Sequence, residues 1–106
     1  MNNIFNQLNL KPLTTGQMNQ SVTGIYIGDL LSLVMAKARK GHIWLTVQTH
    51  LNVVAIASLV EMAAIIIVEG QSVDEEVIKK AETEGILIFS SEKPAYELAL
   101  QLSICL

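Results

Sequence analysis

WLTVQTHLNVVAIASLVEMAAIIIV, residues 44–68, decides how this chain folds. It opens on a β-type run, Trp44 to Val47. Gln48, Thr49 and His50 follow, and then an apolar stretch whose character changes part-way. From Leu51 to Met62 the residues suit a helix. From Ala64 to Val68 they turn β-branched, and β-branched side chains are stiff at χ1 and fit a pleated surface better than a helix. The stretch therefore reads as strand, loop, helix, strand. The alternative, one membrane span over residues 51–68, fits the length alone. Asn52, Ser58 and Glu61 interrupt it, and burying a carboxylate in lipid is costly.

The same alternation extends both ways. Val22 to Ile27 reads as a strand. Gly28-Asp29 opens a helix with Leu30, Leu31, Val34, Met35 and Ala38 on one face, closing near Lys37, Arg39 and Lys40 with Gly41 as its stop. Ile43 to Val47 is the next strand and residues 50–62 the next helix. Residues 73–84 are an amphipathic helix with Val77, Ile78 and Ala81 inward, started by Ser72 and ended by Gly85. Ile86 to Phe89 is a fourth strand. A last helix starts at Ser90 or Ser91, with Pro94 in its first turn. Strands joined through a packed helix run parallel with right-handed crossovers. The expectation is a single α/β domain: a mainly parallel four-stranded sheet with helices packed on it, its strand order not readable. Residues 1–20, a short helix over 2–8 and a loop, belong to the same domain as the α/β unit over 21–106. Pro12 stops the helix and residues 11–14 are a short extended piece.

Composition narrows the function classes. The chain has 106 residues, enough for one compact domain. Apolar residues make up 51% and charged residues 16%, so a domain this small has more apolar side chain than its interior readily hides. Part of the excess is expected in a homodimer interface. The helix at 50–62, apolar nearly all round, is the natural place, and Val53, Val54, Ala57 and Val60 are the expected contacts. The net charge is −3 and Arg39 is the only arginine, so no basic stripe exists to neutralise nucleic-acid phosphates. The first residues lack a signal-peptide pattern, which makes a cytoplasmic location the expectation. Cys105, the single cysteine, has no partner for an internal disulfide.

In a parallel sheet the strand C-termini share one rim, and ligands bind just outside it. Here that rim gathers Gly28, Asp29, Gln48, Thr49, His50, Gly70, Ser90 and Ser91. Helix N-termini point to the same rim and favour an anion. Asp29, Thr49, Ser72 and Ser91 have a second reading as helix caps, and Gly28 and Gly70 as turn glycines. His50 divides evenly between a structural and a ligand-contacting role. Gln48 has no capping role. No phosphate loop, GxGxxG or GxSxG is present, and two histidines with one terminal cysteine make no metal set. Catalytic residues, cofactor and metal are therefore not expected, and no membrane association is.

The run VTGIYIGDLLSLVMAKARKGHIWLTVQTHLNVVAIASLVEMAAIIIVEG resembles the DRTGG domain family, through VTG, GDLLS-x-VM, WLT-x-QTH-x-N-x-VAIA and the AAIII strand; ILIFSSEKPAYELA resembles the family's closing strand and helix. The Asp-Arg pair that names the family is absent, the chain reading Asn19-Gln20-Ser21 before Val22-Thr23-Gly24. The resemblance implies a domain found alone or within larger proteins, including regulatory inorganic pyrophosphatases, where it sits beside nucleotide-sensing CBS domains and helps form dimers. It is also similar to the N-terminal domain of HPr kinase/phosphorylase, which is not the kinase domain. No catalytic residues carry over. Three functions follow as expectations: a homodimeric, non-catalytic regulatory module sensing a nucleotide or phosphorylated metabolite at the rim; a structural assembly subunit for a partner enzyme; and, least supported, a phosphotransferase.

Overall fold

The computed structural model of this chain describes residues 7–18 and 20–106. The helix expected at 2–8 falls mainly on residues outside them. Among the described residues nine elements follow in order: β1 (Lys11–Pro12), β2 (Gly24–Ile27), α1 (Leu31–Lys37), β3 (His42–Thr46), α2 (Leu51–Val60), β4 (Ala64–Ile67), α3 (Glu75–Glu84), β5 (Ile88–Ser90) and α4 (Ala95–Cys105). The stretch 51–68 does divide into helix and strand. Among the described residues, no helix is long and apolar enough to cross a membrane.

The sheet corrects the expected four-stranded, mainly parallel architecture. It has five strands in the order β1-β5-β4-β3-β2 and is mixed. β2 to β5 are parallel neighbours in chain order, with Tyr26 opposite Trp44, Trp44 opposite Ile65 and Ile65 opposite Ile88. β1 is antiparallel to β5, pairing Lys11 with Ser90 and Pro12 with Phe89. The fifth strand has only two residues, one of them a proline without an N–H. A piece that short carries no periodicity, and it becomes a strand only because β5 supplies a neighbour.

The pleat assigns the two faces. Trp44, Ile65, Ile67 and Ile88 point to one side, against Val34 of α1 and Ala38 just after it, Val53, Val54, Ile56 and Ala57 of α2, and Val77 and Ala81 of α3. Ile43, Leu45 and Ile66 point to the other, against Leu98 and Leu102 of α4 and Leu10. Three crossover helices therefore cover one face. α4 and the N-terminal segment cover the second. β3 and β4 are buried on both faces, which is why they read as unbroken apolar runs.

The same arrangement explains the apolar helix α2. It lies on the sheet between α1 and α3 and touches both, so three of its sides are covered within the chain. Val53, Val54 and Ala57 are fully buried against the chain's own sheet, and Val60 is half-buried beside them. Of these residues, expected at a subunit interface, Val53, Val54 and Ala57 are placed in the interior, whereas Val60 keeps part of its surface. The side of α2 left at the surface carries Asn52, Ala55 and Leu59.

The glycine expected to stop α1 does other work. α1 ends at Lys37, and Gly41 sits three residues beyond its C-cap at φ +83°. A Cβ there would meet the Ser21 carbonyl at 2.9 Å and Thr23 Oγ1 at 2.8 Å, so the loops before β2 and β3 can close only over a bare Cα. Gly85 does close its helix, at φ +73°. α2 closes instead on Glu61 in the left-handed conformation, unusual for a residue with a Cβ.

Candidate functional site

Because β2 to β5 run the same way, their C-terminal ends do form one rim. At the β2–β3 end the rim is built around Asp29. This residue was expected to cap α1. The helix starts two residues later, its N-cap is Leu30, and no side chain caps it. Asp29 instead reaches across to the end of β3. Its Oδ1 accepts from Thr46 Oγ1 at 2.7 Å and from the Val47 N–H at 3.0 Å. The Thr46 hydroxyl in turn accepts from the Gln48 N–H at 3.1 Å. Gln48 Nε2 returns to the Asp29 carbonyl at 3.1 Å. Trp44, fully buried below, donates its indole N–H to the Gly28 carbonyl at 2.9 Å. Four of these hydrogen bonds fasten the β2–α1 loop to β3 and the loop after it, and the fifth, from Gln48 to Thr46, braces that second segment internally. Thr46 is the member that the sequence reading passed over. It looked like an ordinary strand residue, and only its burial at 1% exposure marks it as the centre of a polar bracket.

His50, the next residue on this loop but one, is the N-cap of α2. Its Nδ1 accepts from the Asn52 N–H at 3.0 Å, while the ring itself is exposed. The structural role of His50 is therefore real, and its position at the rim stands beside it. Thr49 is half-buried between them. α2 has ten residues and no acidic residue in its first turn. The ten-residue α3, by contrast, carries Glu75 and Glu76 there, and α4 carries Glu97. Of these three helices, α2 thus has the N-terminus whose partial positive charge is left uncompensated by its own first turn.

At the β4–β5 end the rim is a second cluster. Glu69 and Gly70 both have positive φ, at +63° and +67°. The Glu69 N–H donates to the Lys93 carbonyl at 3.0 Å and the Gly70 N–H to the Ser91 carbonyl at 2.9 Å. A Cβ on Gly70 would lie 2.6 Å from a carboxylate oxygen of Glu92, the end of a flexible side chain that can swing aside, so it is the positive φ that favours glycine here. Ser91 is buried, and its hydroxyl accepts from the Lys93 N–H at 3.1 Å, a turn around Pro94 rather than a helix cap. α4 starts at Ala95 with Pro94 as its N-cap, and α3 starts at Glu75 with Asp74 as its N-cap, so neither Ser72 nor Ser91 caps a helix. A cavity of about 310 Å³ opens here, lined by Gly70, Gln71, Ser72 and Ser90 together with Lys11 and Glu92.

The expected site residues are therefore brought to one rim in two groups. Gly28, Asp29, Gln48, Thr49 and His50 form the first, and Gly70, Ser90 and Ser91 the second. The link between the groups is backbone: the Val68 N–H donates to the Thr46 carbonyl at 3.0 Å. A larger cavity, about 370 Å³, lies on the opposite rim, among Gln17, Lys40, Glu61 and Glu84. Two helix C-termini converge there, so its electrostatics are the reverse of those at the α2 N-terminus. His42 is half-buried as the first residue of β3 and stacks on Tyr26 with ring centroids 6.5 Å apart. Among the described residues no group of histidine, cysteine and carboxylate side chains is arranged to hold a metal ion.

No family model matches this sequence, and no curated protein does. Among solved structures the fold is similar to the CBS and DRTGG domains of the regulatory region of Clostridium perfringens pyrophosphatase, complexed with activator, diadenosine tetraphosphate. The TM-score is 0.78 at 13% sequence identity, over 95% of this chain. The chain spans 44% of that structure's chain. The likeness is one of fold: this α/β arrangement occurs within the regulatory region of a pyrophosphatase.

Proposed function

We propose that this chain is a non-catalytic regulatory module, homodimeric, that senses a nucleotide or phosphorylated metabolite at the rim of its sheet. The observation that carries this reading is the bracket of Asp29, Thr46 and Gln48. It fixes two loops immediately before the uncompensated N-terminus of α2. The Asn52 N–H is taken by His50 Nδ1, so a phosphoryl group beside Thr49 and His50 would meet the positive end of α2 through the other N–H groups of its first turn, with the His50 ring edge and the Thr49 hydroxyl as further donors. The similarity in fold to a regulatory region complexed with a dinucleotide activator supports the nucleotide class. An assembly role for a partner enzyme is the second reading, favoured by the apolar side chains that remain exposed on α4.

A panel of AMP, ADP, ATP, diadenosine tetraphosphate and inorganic phosphate tests the sensing role by thermal shift. A ligand at a hundredfold excess over its Kd stabilises the fold by about 2.7 kcal/mol. For a domain of this size that is an upward shift in Tm on the order of 10 °C. The expected result is a shift with at least one nucleotide that is lost in Thr49→Ala/His50→Ala. A flat response to the whole panel, by a protein shown to be folded, favours the assembly reading.

A further inference from the structure

The two edges of the sheet are finished in opposite ways. β1, at one edge, consists of a lysine and a proline, two of the devices that keep a sheet edge from pairing with another chain. β2, at the other, reads Gly24-Ile25-Tyr26-Ile27, with no charge, no proline and, among the described residues, no strand on its outer side. The Gly28 N–H still donates inward to the Leu45 carbonyl. By the alternation of a parallel ladder, Ile25 and Ile27 turn their backbone N–H and C=O groups outward.

Beside this open edge lies apolar surface. Ile25 and Ile27 form a groove of about 320 Å³ with Tyr96, Ala99, Leu100 and Ser103 of α4. Tyr96, Leu100 and Ile104 recur every fourth residue along that helix and are 74%, 48% and 85% exposed; Ile27 is 50% exposed. A stripe of that spacing lies on one face of a helix. These four side chains are largely apolar, and with the strand edge itself they supply the kind of surface from which a standard interface of about 800 Å² per partner is built.

We propose that β2 pairs antiparallel with β2 of a second copy of this chain, with α4 of each subunit packing beside the junction. The inference rests on the homodimer reading above and gives it a location, the edge opposite β1 rather than the buried face of α2. A two-fold axis through β2 brings the same residues together from both sides, as an isologous contact requires. The outward groups of Ile25 and Ile27 then find partners, and Tyr96 and Leu100 leave water. The apolar groove between α1 and α2, about 380 Å³ and edged by Met35 and Leu59, offers area without unpaired strand groups.

Size-exclusion chromatography with light scattering, at about 100 μM and so above the micromolar Kd that weak interfaces reach, reads the mass. The expected result is twice the 11.6 kDa chain mass for the wild type and for Leu59→Lys, and a monomer for Ile27→Lys with an unchanged circular-dichroism spectrum. A wild-type monomer overturns the dimer reading and the proposal together. A dimer that survives Ile27→Lys but is broken by Leu59→Lys keeps the dimer and overturns its location. Should Ile27→Lys not fold, amide exchange on the wild type decides: the Ile25 and Ile27 amides are protected in concentrated protein and lose protection on dilution if β2 is the junction, and exchange equally fast at both concentrations if it is not.

Discussion

Trp44→Ala lowers the stability of this domain by about 3–5 kcal/mol, the range for truncating a fully buried large aromatic side chain. That is a large part of the ~5–15 kcal/mol that holds a typical domain together. Trp44 has no exposed surface and lies in the core of the helix-covered face, opposite Ile65 on β4 and in one buried cluster with Val34 of α1 and Ala38 just after it. Its removal opens a cavity that strands fixed on both sides cannot collapse to fill. It also releases the Gly28 carbonyl from the indole N–H. Trp44→Phe separates the two effects. It keeps most of the apolar volume, losing the hydrogen bond and a small part of the ring, for a cost of about 2 kcal/mol. Urea unfolding of the three proteins checks both values. A loss under about 1 kcal/mol for Trp44→Ala is incompatible with the packing described.

Asp29→Ala is expected to cost about 2–3 kcal/mol, although Asp29 is itself exposed. Its value lies in what it holds. The buried Thr46 hydroxyl loses its acceptor, and the Val47 N–H loses its partner. Asp29→Asn keeps an acceptor oxygen in the same place and is expected to restore most of the loss. Were Asp29 merely a helix-dipole residue for α1, both substitutions would cost the same few tenths of a kcal/mol. Amide exchange at Val47 and Gln48 provides a local readout. It accelerates in Asp29→Ala ahead of exchange in β4, because the bracket opens without unfolding the sheet.

How much of this was legible depends on how local each signal is. β4 and α3 could be read because Ala64 to Ile67 is apolar without interruption, whereas Val77 and Ala81 repeat at helical spacing between charges. The parallel direction of β2 to β5 followed from the helices between them. β1 was legible only as a short extended piece over residues 11–14; that it joins the sheet was not, because Lys11–Pro12 acquires a strand partner only in β5, some eighty residues away in sequence. The apolar surplus of α2 was misplaced for a related reason. Composition reports that a helix is greasy, but not that two other helices flank it. Among the site residues, Gln48 and His50 stood out as polar groups at a strand end. The role of Asp29 did not, since an aspartate before a helix looks like a cap until a buried threonine on the neighbouring strand claims its carboxylate.

The account turns on whether the rim carrying Asp29, Gln48 and His50 is where a ligand binds. The most direct measurement is a titration of the backbone amide spectrum with diadenosine tetraphosphate and with ADP. The account predicts the largest shifts at Gly28, at residues 47–52 and at Gly70, with Ser90 and Ser91 following. Shifts gathered instead around Gln17, Lys40, Glu61 and Glu84 would contradict it, placing the ligand on the opposite side of the sheet.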